Sequence, residues 1–331
     1  MPSGKTLYVR AIELTHTDSN PWLHRVAVLT ACIALLPILM GALVTTRDAG
    51  MAFPDWPTSD GHGMFSYPWL KSRGAKFLEH GHRLAGTLIG MTSIALAAVA
   101  WRNERRGWAR RLAYVVLAGV IAQGVLGGLR VLRDQRDLAF VHGSFAALIL
   151  ALMAAVAVVT SVGWRDATAE SPKGLQRLRL VALFACVCVF AQYVLGGLLR
   201  HQGRVLYEHV GFAFVTALVV VWLAISAAAS GNAWLRGPAA AAALLVVSQL
   251  ILGAGAWVTK FGFGDQVAVY GSLSQDIMRT SHVLCGALLF MTTVVLTIRI
   301  ARLAWVSSRT FVERPQVTTF DGSLPLPRGA Q

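Results

Sequence analysis

The chain has 331 residues, of which 55% are hydrophobic and only 14% are charged, and its mean hydropathy is +0.57. A soluble domain of this size does not tolerate such a composition, so the sequence predicts an all-α polytopic membrane protein. The formal net charge of +14 is then interpreted as a sign of orientation across a membrane, and we expect no nucleic-acid partner.

Eight apolar stretches are long enough to cross a bilayer, which takes roughly 20 residues per helix. They lie at about 26–46, 82–101, 112–130, 140–161, 178–199, 208–228, 238–258 and 282–304. If the N-terminus is cytoplasmic, the inner segments hold 18 of the 30 Lys and Arg residues. We therefore predict that both termini are cytoplasmic. The polar first 20 residues resemble neither a cleavable signal peptide nor a transit peptide, which favours a bacterial plasma membrane.

The predicted helices repeat in pairs along the chain. An outgoing helix ends in glycine and a cation, and the returning helix begins with a histidine. The four units read MGALVTTRD before EHGHRLAG, QGVLGGLR before FVHGSFA, QYVLGGLLR before YEHVGFAF, and QLILGAGAWVTK before SHVLCGALLF. They predict two pseudo-symmetric four-helix bundles, residues 1–162 and 163–331, with one pocket in each.

One histidine is expected in the first turn of every returning helix: His82, His142, His209 and His282. The positive end of the helix dipole there favours the neutral imidazole that binds iron. An ionisable side chain at a membrane boundary is costly unless a ligand occupies it. Imidazoles that face each other inside a bundle are typical axial ligands of an iron porphyrin. The pattern therefore predicts two haem sites, each with two histidines from one half.

Glycines and cations accompany the histidines. The glycines at 127, 128, 196, 197, 253 and 255 allow a flat macrocycle or a neighbouring helix to approach the backbone. The cations that close the outgoing helices on the histidine side are Arg47, Arg130, Arg200 and Lys260. Contact with haem propionates is one interpretation of these cations. Snorkelling of their side chains to lipid headgroups is the other.

The two halves differ around their first histidine. Glu79 and His82 are three residues apart and share a helix face, so a carboxylate lies beside that site and can move protons. The outer loop at about 47–79 is long and rich in Pro, Trp and Gly, which predicts either a lid or a passive cover. Whether His62 or His80 also contributes is left open. The first half is therefore predicted to be the reaction site and the second a fixed cofactor site.

These features resemble the haem A synthase family. The resemblance covers about residues 41–290 and rests on GALVTTRDAGMAFPDWP (41–57), EHGHRLAG (79–86), LGGLR followed by His142, LGGLLR followed by His209, and SHVLCG (281–286). It implies oxidation of the C8 methyl of haem O to a formyl group by successive hydroxylations, with Glu79 as the catalytic carboxylate. It also implies that His82 and His142 flank the substrate haem, and that His209 and His282 hold a haem b cofactor.

The resemblance also implies haem O as substrate, with haem O synthase and terminal oxidase assembly factors as protein partners in the lipid bilayer. One departure is that some members carry a cysteine pair in the first outer loop, whereas this chain has no cysteine between Met51 and Glu79. Two rival functions use the same histidines. One is a quinone-linked, di-haem b electron-transfer protein, and the other is a haem transporter or chaperone.

Overall fold

A computed structural model describes residues 21–167 and 174–312. Parts of the predicted cytoplasmic segments, namely 1–20, 168–173 and 313–331, lie outside the described residues. Within the described ranges, eight helices are long and apolar enough to cross a membrane. The prediction of an eight-helix polytopic membrane protein is confirmed.

The helices are α1 Pro21–Thr46, α2 Gly74–Asn103, α3 Gly107–Arg133, α4 Arg136–Thr160, α5 Leu175–Gln202, α6 Leu206–Ala229, α7 Ala233–Phe261 and α8 Leu273–Val312. A one-turn helix at Val162–Arg165 follows α4, and a 3-10 turn at Trp69–Lys71 precedes α2. Each long helix extends beyond its apolar stretch, because polar residues continue the helical backbone past the apolar layer.

Helix α1 is interrupted at Ala34, between the segments Pro21–Ile33 and Leu35–Thr46. Pro37 explains the break, because it has no N–H to donate to the carbonyl four residues earlier and its ring crowds the preceding turn. The break lies in the outgoing helix of the first half, and Pro37 is also a residue of the first histidine site.

The helices form two closed rings of four. Helices α1 to α4 contact one another in chain order and α4 returns to α1, and α5 to α8 do the same. The rings meet where α4 contacts α8 and α5, and where α8 contacts α1. Helices α4 and α8 are the most buried, with 61% and 56% of their apolar windows inside the protein, whereas α3 and α7 have 17% each.

Each ring has its own hydrophobic core, and the two cores exchange a few residues. Ala147 and Ala151 of α4 belong to the core of the second ring, and Ala287 of α8 belongs to the core of the first. Tyr193 packs against both cores. This arrangement is compatible with two pseudo-symmetric halves divided near residue 162, which stays a prediction.

Polar links join the rings at the histidine end, and two of them involve an aspartate. Arg47 Nε donates to Asp276 Oδ2 over 2.6 Å, from α1 to α8. Gln202 Nε2 donates to Asp137 Oδ1 over 2.8 Å, from α5 to α4. Both links connect the end of an outgoing helix to the start of a returning helix, and they hold the two sites next to each other.

Candidate functional site

The structure brings the four predicted histidines together two by two. The ring centres of His82 and His142 are 6.2 Å apart, with ring planes at 82°. Those of His209 and His282 are also 6.2 Å apart, with planes at 87°. All four rings are half-buried. Each predicted half therefore contributes one facing pair of imidazoles.

The spacing within each pair fits a flat metal macrocycle. A metal–imidazole bond is about 2 Å long and the ring centre lies roughly 1 Å behind the bonded nitrogen, so two axial imidazoles have centres about 6 Å apart. A bare metal ion needs three or four protein ligands. Among residues 21–167 and 174–312, no group of three or more His, Cys, Asp or Glu could hold one. Two facing imidazoles suit an iron porphyrin, which supplies four nitrogens itself.

Every imidazole rests against a glycine of the preceding outgoing helix. A Cβ atom on that glycine would lie between 2.9 and 3.1 Å from Cε1 of the histidine, so the imidazole ring would have to shift to make room for it. The four contacts are Gly41 with His82, Gly127 with His142, Gly196 with His209, and Gly253 with His282. The glycine of each repeat therefore leaves room for the imidazole ring to pack against the helix backbone, and we call it the seating glycine.

The other glycines of the repeat also receive side chains. Gly128, Gly197 and Gly255 face Trp56, Phe140 and Met278 respectively. The sequence allowed either a macrocycle or a neighbouring helix to approach these backbones. The structure shows side chains of neighbouring segments there.

Three glutamines were not recognised as site residues from the sequence. Gln123 Nε2 donates to the backbone carbonyl of His142 over 2.8 Å, and Gln192 makes the same bond to His209, also over 2.8 Å. Gln249 Nε2 lies 3.4 Å from Nε2 of His282. The sequence does contain a regular spacing, because each glutamine lies four residues before the glycine that contacts the imidazole. The spacing does not reveal the function of the glutamine, because its contact is with a histidine on another helix.

The expected position of the histidines in the first helical turn is wrong for three of the four. Helix α2 begins at Gly74, so His82 is in its third turn. His142 and His282 are likewise beyond the first turn of α4 and α8, and only His209 lies in a first turn, that of α6. Because the dipole acts within the first turn, it does not explain three of these sites.

Glu79 is buried beside the first pair, on the same helix as His82. Its Oε1 forms a salt bridge with Arg83 Nη2 at 2.7 Å. Its Oε2 accepts a hydrogen bond from the backbone N–H of Ala52 over 2.6 Å. The carboxylate therefore fastens the outer loop to α2, and it is also the one acidic group predicted to act in chemistry. Glu208, which precedes the histidine of α6, is exposed.

The outer loop is folded against the start of α2. Arg83 Nη1 donates to the carbonyls of Asp55 and Thr58 over 2.9 and 2.6 Å, and its guanidinium lies over the ring of the buried Phe53. Trp56 packs on the backbone of Gly128 in α3. The loop thus covers the outer end of the first ring of helices.

An acidic turn lies inside this loop. The backbone N–H groups of Asp60 and Gly61 donate to the Asp55 carboxylate over 3.0 and 2.9 Å. Burial by itself raises the pKa of Asp55, but hydrogen bonds from Thr58 and from these two N–H groups outweigh it and lower the pKa to about 2. Asp55 is therefore ionised at neutral pH and fixes the turn.

The sequence left the roles of His80 and His62 open; His62 lies in the loop, whereas His80 lies on α2 and contacts the loop. His80 is fully buried; its Nδ1 lies 3.0 Å from Ser59 Oγ, and its Nε2 lies 3.1 Å from the carbonyl of Met64. Both ring nitrogens are thus occupied, which makes His80 an anchor of the loop. His62 is exposed and hydrogen-bonds the carbonyl of Asp60.

The four cations predicted to contact propionates make other contacts here. Arg47 pairs with Asp276, Arg130 donates to the carbonyl of Gly50, and Lys260 lies 5.4 Å from the ring centre of Phe261. Arg200 donates to the carbonyl of Ala42 and, over 2.9 Å, to Thr46 Oγ1. Arg130 therefore links α3 of the first site to the loop. Arg200 links α5 of the second site to α1. Their contact with propionates stays a prediction.

The sequence of the chain matches the model of a known protein family. The model of the cytochrome oxidase assembly protein family (COX15-CtaA) matches residues 24–209, more than half of the chain. This match includes His82, His142 and His209 but ends before His282.

Individual relatives are similar over comparable lengths. The heme A synthase of Symbiobacterium thermophilum is 31% identical over 188 residues, which is 55% of this chain and 60% of the relative. That of Alkalihalophilus pseudofirmus is 25% identical over 179 residues, 53% and 59% of the two chains. That of Geobacillus kaustophilus is 24% identical over 261 residues, 68% and 78% of the two chains. The chain thus spans about 60% of the length of the first two relatives.

Proposed function

The chain belongs to the family of cytochrome oxidase assembly proteins, and from this premise we propose that it is a haem A synthase. The proposed reaction oxidises the C8 methyl of haem O to a formyl group by successive hydroxylations, and it supplies haem A for assembly of terminal oxidases. The observation that carries the proposal is a duplicated pair of imidazoles, each with ring centres 6.2 Å apart, with the buried carboxylate of Glu79 three residues before His82 in the first pair.

His82 and His142 are proposed to flank the substrate haem O in the half formed by residues 1–162. Their spacing suits axial ligation, and Gly41 and Gly127 hold the two rings in place. The loop above this site is held by Glu79 and by the other contacts of α2 described above, so it can shield bound substrate from water.

Glu79 is proposed to be the catalytic carboxylate. It lies on the face of α2 that carries His82, and burial beside Arg83 keeps it from exchanging protons freely with solvent. Its role is to take up or deliver the proton that an oxidation at the methyl carbon requires. Because it also bonds to Ala52 N–H, its state is coupled to the position of the loop.

His209 and His282 are proposed to hold a haem b cofactor in the half formed by residues 163–331. When bound, haem b supplies reversible one-electron chemistry to this half. The residues fit the group because the rings have the spacing of axial ligands and Nδ1 of His282 is buried without a hydrogen-bond partner among the described residues. The protein fixes the ring orientation through Gly196 and Gly253.

The histidine end is proposed to face outward, with both termini in the cytoplasm. Arginine–tryptophan pairs support this orientation, because tryptophan and arginine gather at membrane interfaces and basic loops stay inside. At the opposite end, Arg106 lies over Trp108, Arg299 over Trp234 and Arg302 over Trp164. Haem O synthase and terminal oxidase assembly factors are the proposed protein partners.

The test is to extract haems from membranes that contain a haem O source with or without this protein, and to identify them by chromatography with mass spectrometry. Haem A or its hydroxylated precursor is expected only when the protein is present. Haem b bound to the protein with haem O unchanged would instead support the electron-transfer function. Weakly held haem in both halves and no product would support a transporter or chaperone.

A further inference from the structure

His201 is a half-buried histidine that has no part in the function proposed above. Helix α5 continues to Gln202, so His201 lies in its last turn, beyond the apolar stretch of that helix. Its ring is half-buried. Among residues 21–167 and 174–312, its ring nitrogens have no hydrogen-bond partner. An imidazole N–H is therefore available to a ligand at this point of the molecule.

The side chain of His201 leaves the second ring of helices and contacts the first. Gln202 connects the end of α5 to Asp137 at the start of α4. Nε2 of His201 lies against Gly143 of α4, 3.6 Å from the position that a Cβ atom would take there. Gly143 directly follows His142 in the sequence. A residue of the second ring therefore reaches the backbone beside a histidine of the first site.

The charges around His201 favour an anion. Its electrostatic neighbours are Arg130 and Arg200, with no carboxylate of the described residues among them. His201 in turn acts on His142, and Arg130 also interacts with Glu79. The imidazole thus belongs to the surroundings of the first site. An N–H donor next to two guanidinium groups is a suitable partner for a carboxylate ligand.

Haem O carries two carboxylates of this kind. Its two propionates lie on one edge of the macrocycle, and the C8 methyl is bonded to the carbon next to one propionate-bearing carbon. Two axial imidazoles do not by themselves oppose rotation of the macrocycle about the line that joins them. A hydrogen bond to a propionate does oppose it, and it thereby determines where the C8 methyl lies.

We propose that His201 is a substrate-binding residue of the first site, contributed by the second ring, and that its ring N–H donates to a propionate of haem O. The bond orients the macrocycle so that the C8 methyl, and not another methyl, faces Glu79. This inference rests on the proposed function. It adds that the substrate site formed by residues 1–162 is incomplete without α5.

The test compares haem O with its dimethyl ester, in which both propionates are blocked. Both are titrated into the full-length protein purified with its bound haem, and binding is followed by difference absorption spectroscopy. The unmodified protein should bind haem O more tightly than the ester. His201→Phe keeps a ring against Gly143 but has no N–H. Its affinity for haem O should fall about 10–100-fold, the effect of one hydrogen bond to a charged group, while its affinity for the ester changes little.

Two further variants serve as controls. His201→Gln keeps an N–H donor and should restore most of the affinity for haem O. Arg204→Gln removes an exposed cation three residues after His201 and should leave both affinities unchanged. Equal losses for haem O and the ester in His201→Phe would show that the side chain only packs, which overturns the inference.

The unmodified protein provides a measurement that does not depend on the folding of a variant. If it binds haem O and the ester equally well, no propionate is recognised and the inference is wrong. If it does not bind haem O at all, the proposed function fails. If it binds haem O and His201→Phe binds it with the same affinity, only the inference fails.

Discussion

The two histidine sites have the same spacing but different surroundings. In both, the imidazole centres are 6.2 Å apart and each ring lies against a glycine. Glu79, three residues from His82, is a buried carboxylate at the first site, which also has a long folded loop above it. The buried carboxylate on the helix of His282, Asp276, is six residues away and pairs with Arg47. Only the first site has a histidine, His82, that is held by a main-chain carbonyl, that of Pro37, in place of a glutamine.

The different surroundings of the two sites suggest which groups bind haem and which take part in the reaction. Two facing imidazoles are sufficient to hold a haem, and the chain has this arrangement twice. Chemistry on a bound haem also needs a proton-transferring group and shelter from water, and these are added to one copy only. We therefore propose that the facing imidazoles, which both sites have, bind haem. Glu79 and the outer loop of the first site are proposed to act on the substrate.

The largest expected effect comes from removing a cofactor ligand. His209→Ala or His282→Ala should abolish the haem b absorption spectrum of the purified protein, since one imidazole then remains. The loss should exceed the roughly 10–100-fold effect of substitutions outside the ligand set. His82→Ala should leave that spectrum in place. The control is His62→Ala, which changes an exposed histidine; a His209→Ala protein with a normal spectrum would refute the assignment.

The next effect concerns Glu79, the buried carboxylate of the first site. Glu79→Gln should lower the yield of haem A about 10²–10⁴-fold, because the amide cannot take up a proton. It should keep the haem b spectrum, and the single amide oxygen can still accept from one of the two donors, Ala52 N–H or Arg83. Glu208→Gln, at the exposed equivalent before His209, should have normal product yield. Full activity of Glu79→Gln would leave Glu79 with the role of fastening the loop.

Removing Glu79 entirely should also loosen the loop. Glu79→Ala leaves the buried guanidinium of Arg83 without its partner, and breaking a buried ion pair in this way costs about 3–5 kcal/mol. The expected result is faster proteolysis within residues 47–73 than in the unmodified protein. Proteolysis at the rate of the unmodified protein would show that the salt bridge does not hold the loop.

A smaller effect is expected for the anchor at His80. His80→Ala removes the contacts with Ser59 and Met64 and should destabilise the loop by about 1–3 kcal/mol. Hydrogen exchange in residues 59–67 should become faster, while the haem b spectrum stays the same. Loss of haem from the second site in this variant would contradict the separation of the two sites.

The smallest effect is a pH dependence confined to the loop. The folded state holds the pKa of Asp55 at about 2, below its ordinary value of 3.8. Its contribution to stability is therefore complete above pH 4 and is lost as the pH falls towards 2. Asp55→Asn should accelerate hydrogen exchange at residues 60 and 61 equally at pH 6 and pH 8, and less at pH 3. If Asp55→Asn accelerated hydrogen exchange more at pH 3 than at pH 6, the lowered pKa of Asp55 would be contradicted.

Much of the architecture could be predicted from the sequence. Apolar stretches of membrane length identify the helices because a bilayer imposes that length. The spacing of His82, His142, His209 and His282 along alternate helices predicted the two pairs, because short connections force neighbouring helices to be antiparallel. Glu79 could be placed on the face of His82 because helical periodicity determines it.

The ends of the helices could not be predicted in this way. Hydropathy detects the edge of the apolar layer, whereas the helical backbone continues through polar residues as long as its hydrogen bonds are satisfied. His82 was therefore expected in a first turn but lies in the third. For the same reason, the helix dipole does not explain the positions of His82, His142 and His282.

The sequence by itself determined the membrane class, the number of helices and the duplicated histidine pattern, since each depends on composition or on spacing along the chain. Only the tertiary structure decided what each side chain contacts. Gln192 next to His209, His80 beneath the loop, and Arg47 paired with Asp276 all join residues on different segments. Such contacts depend on how helices pack and rotate against one another, which local periodicity does not encode.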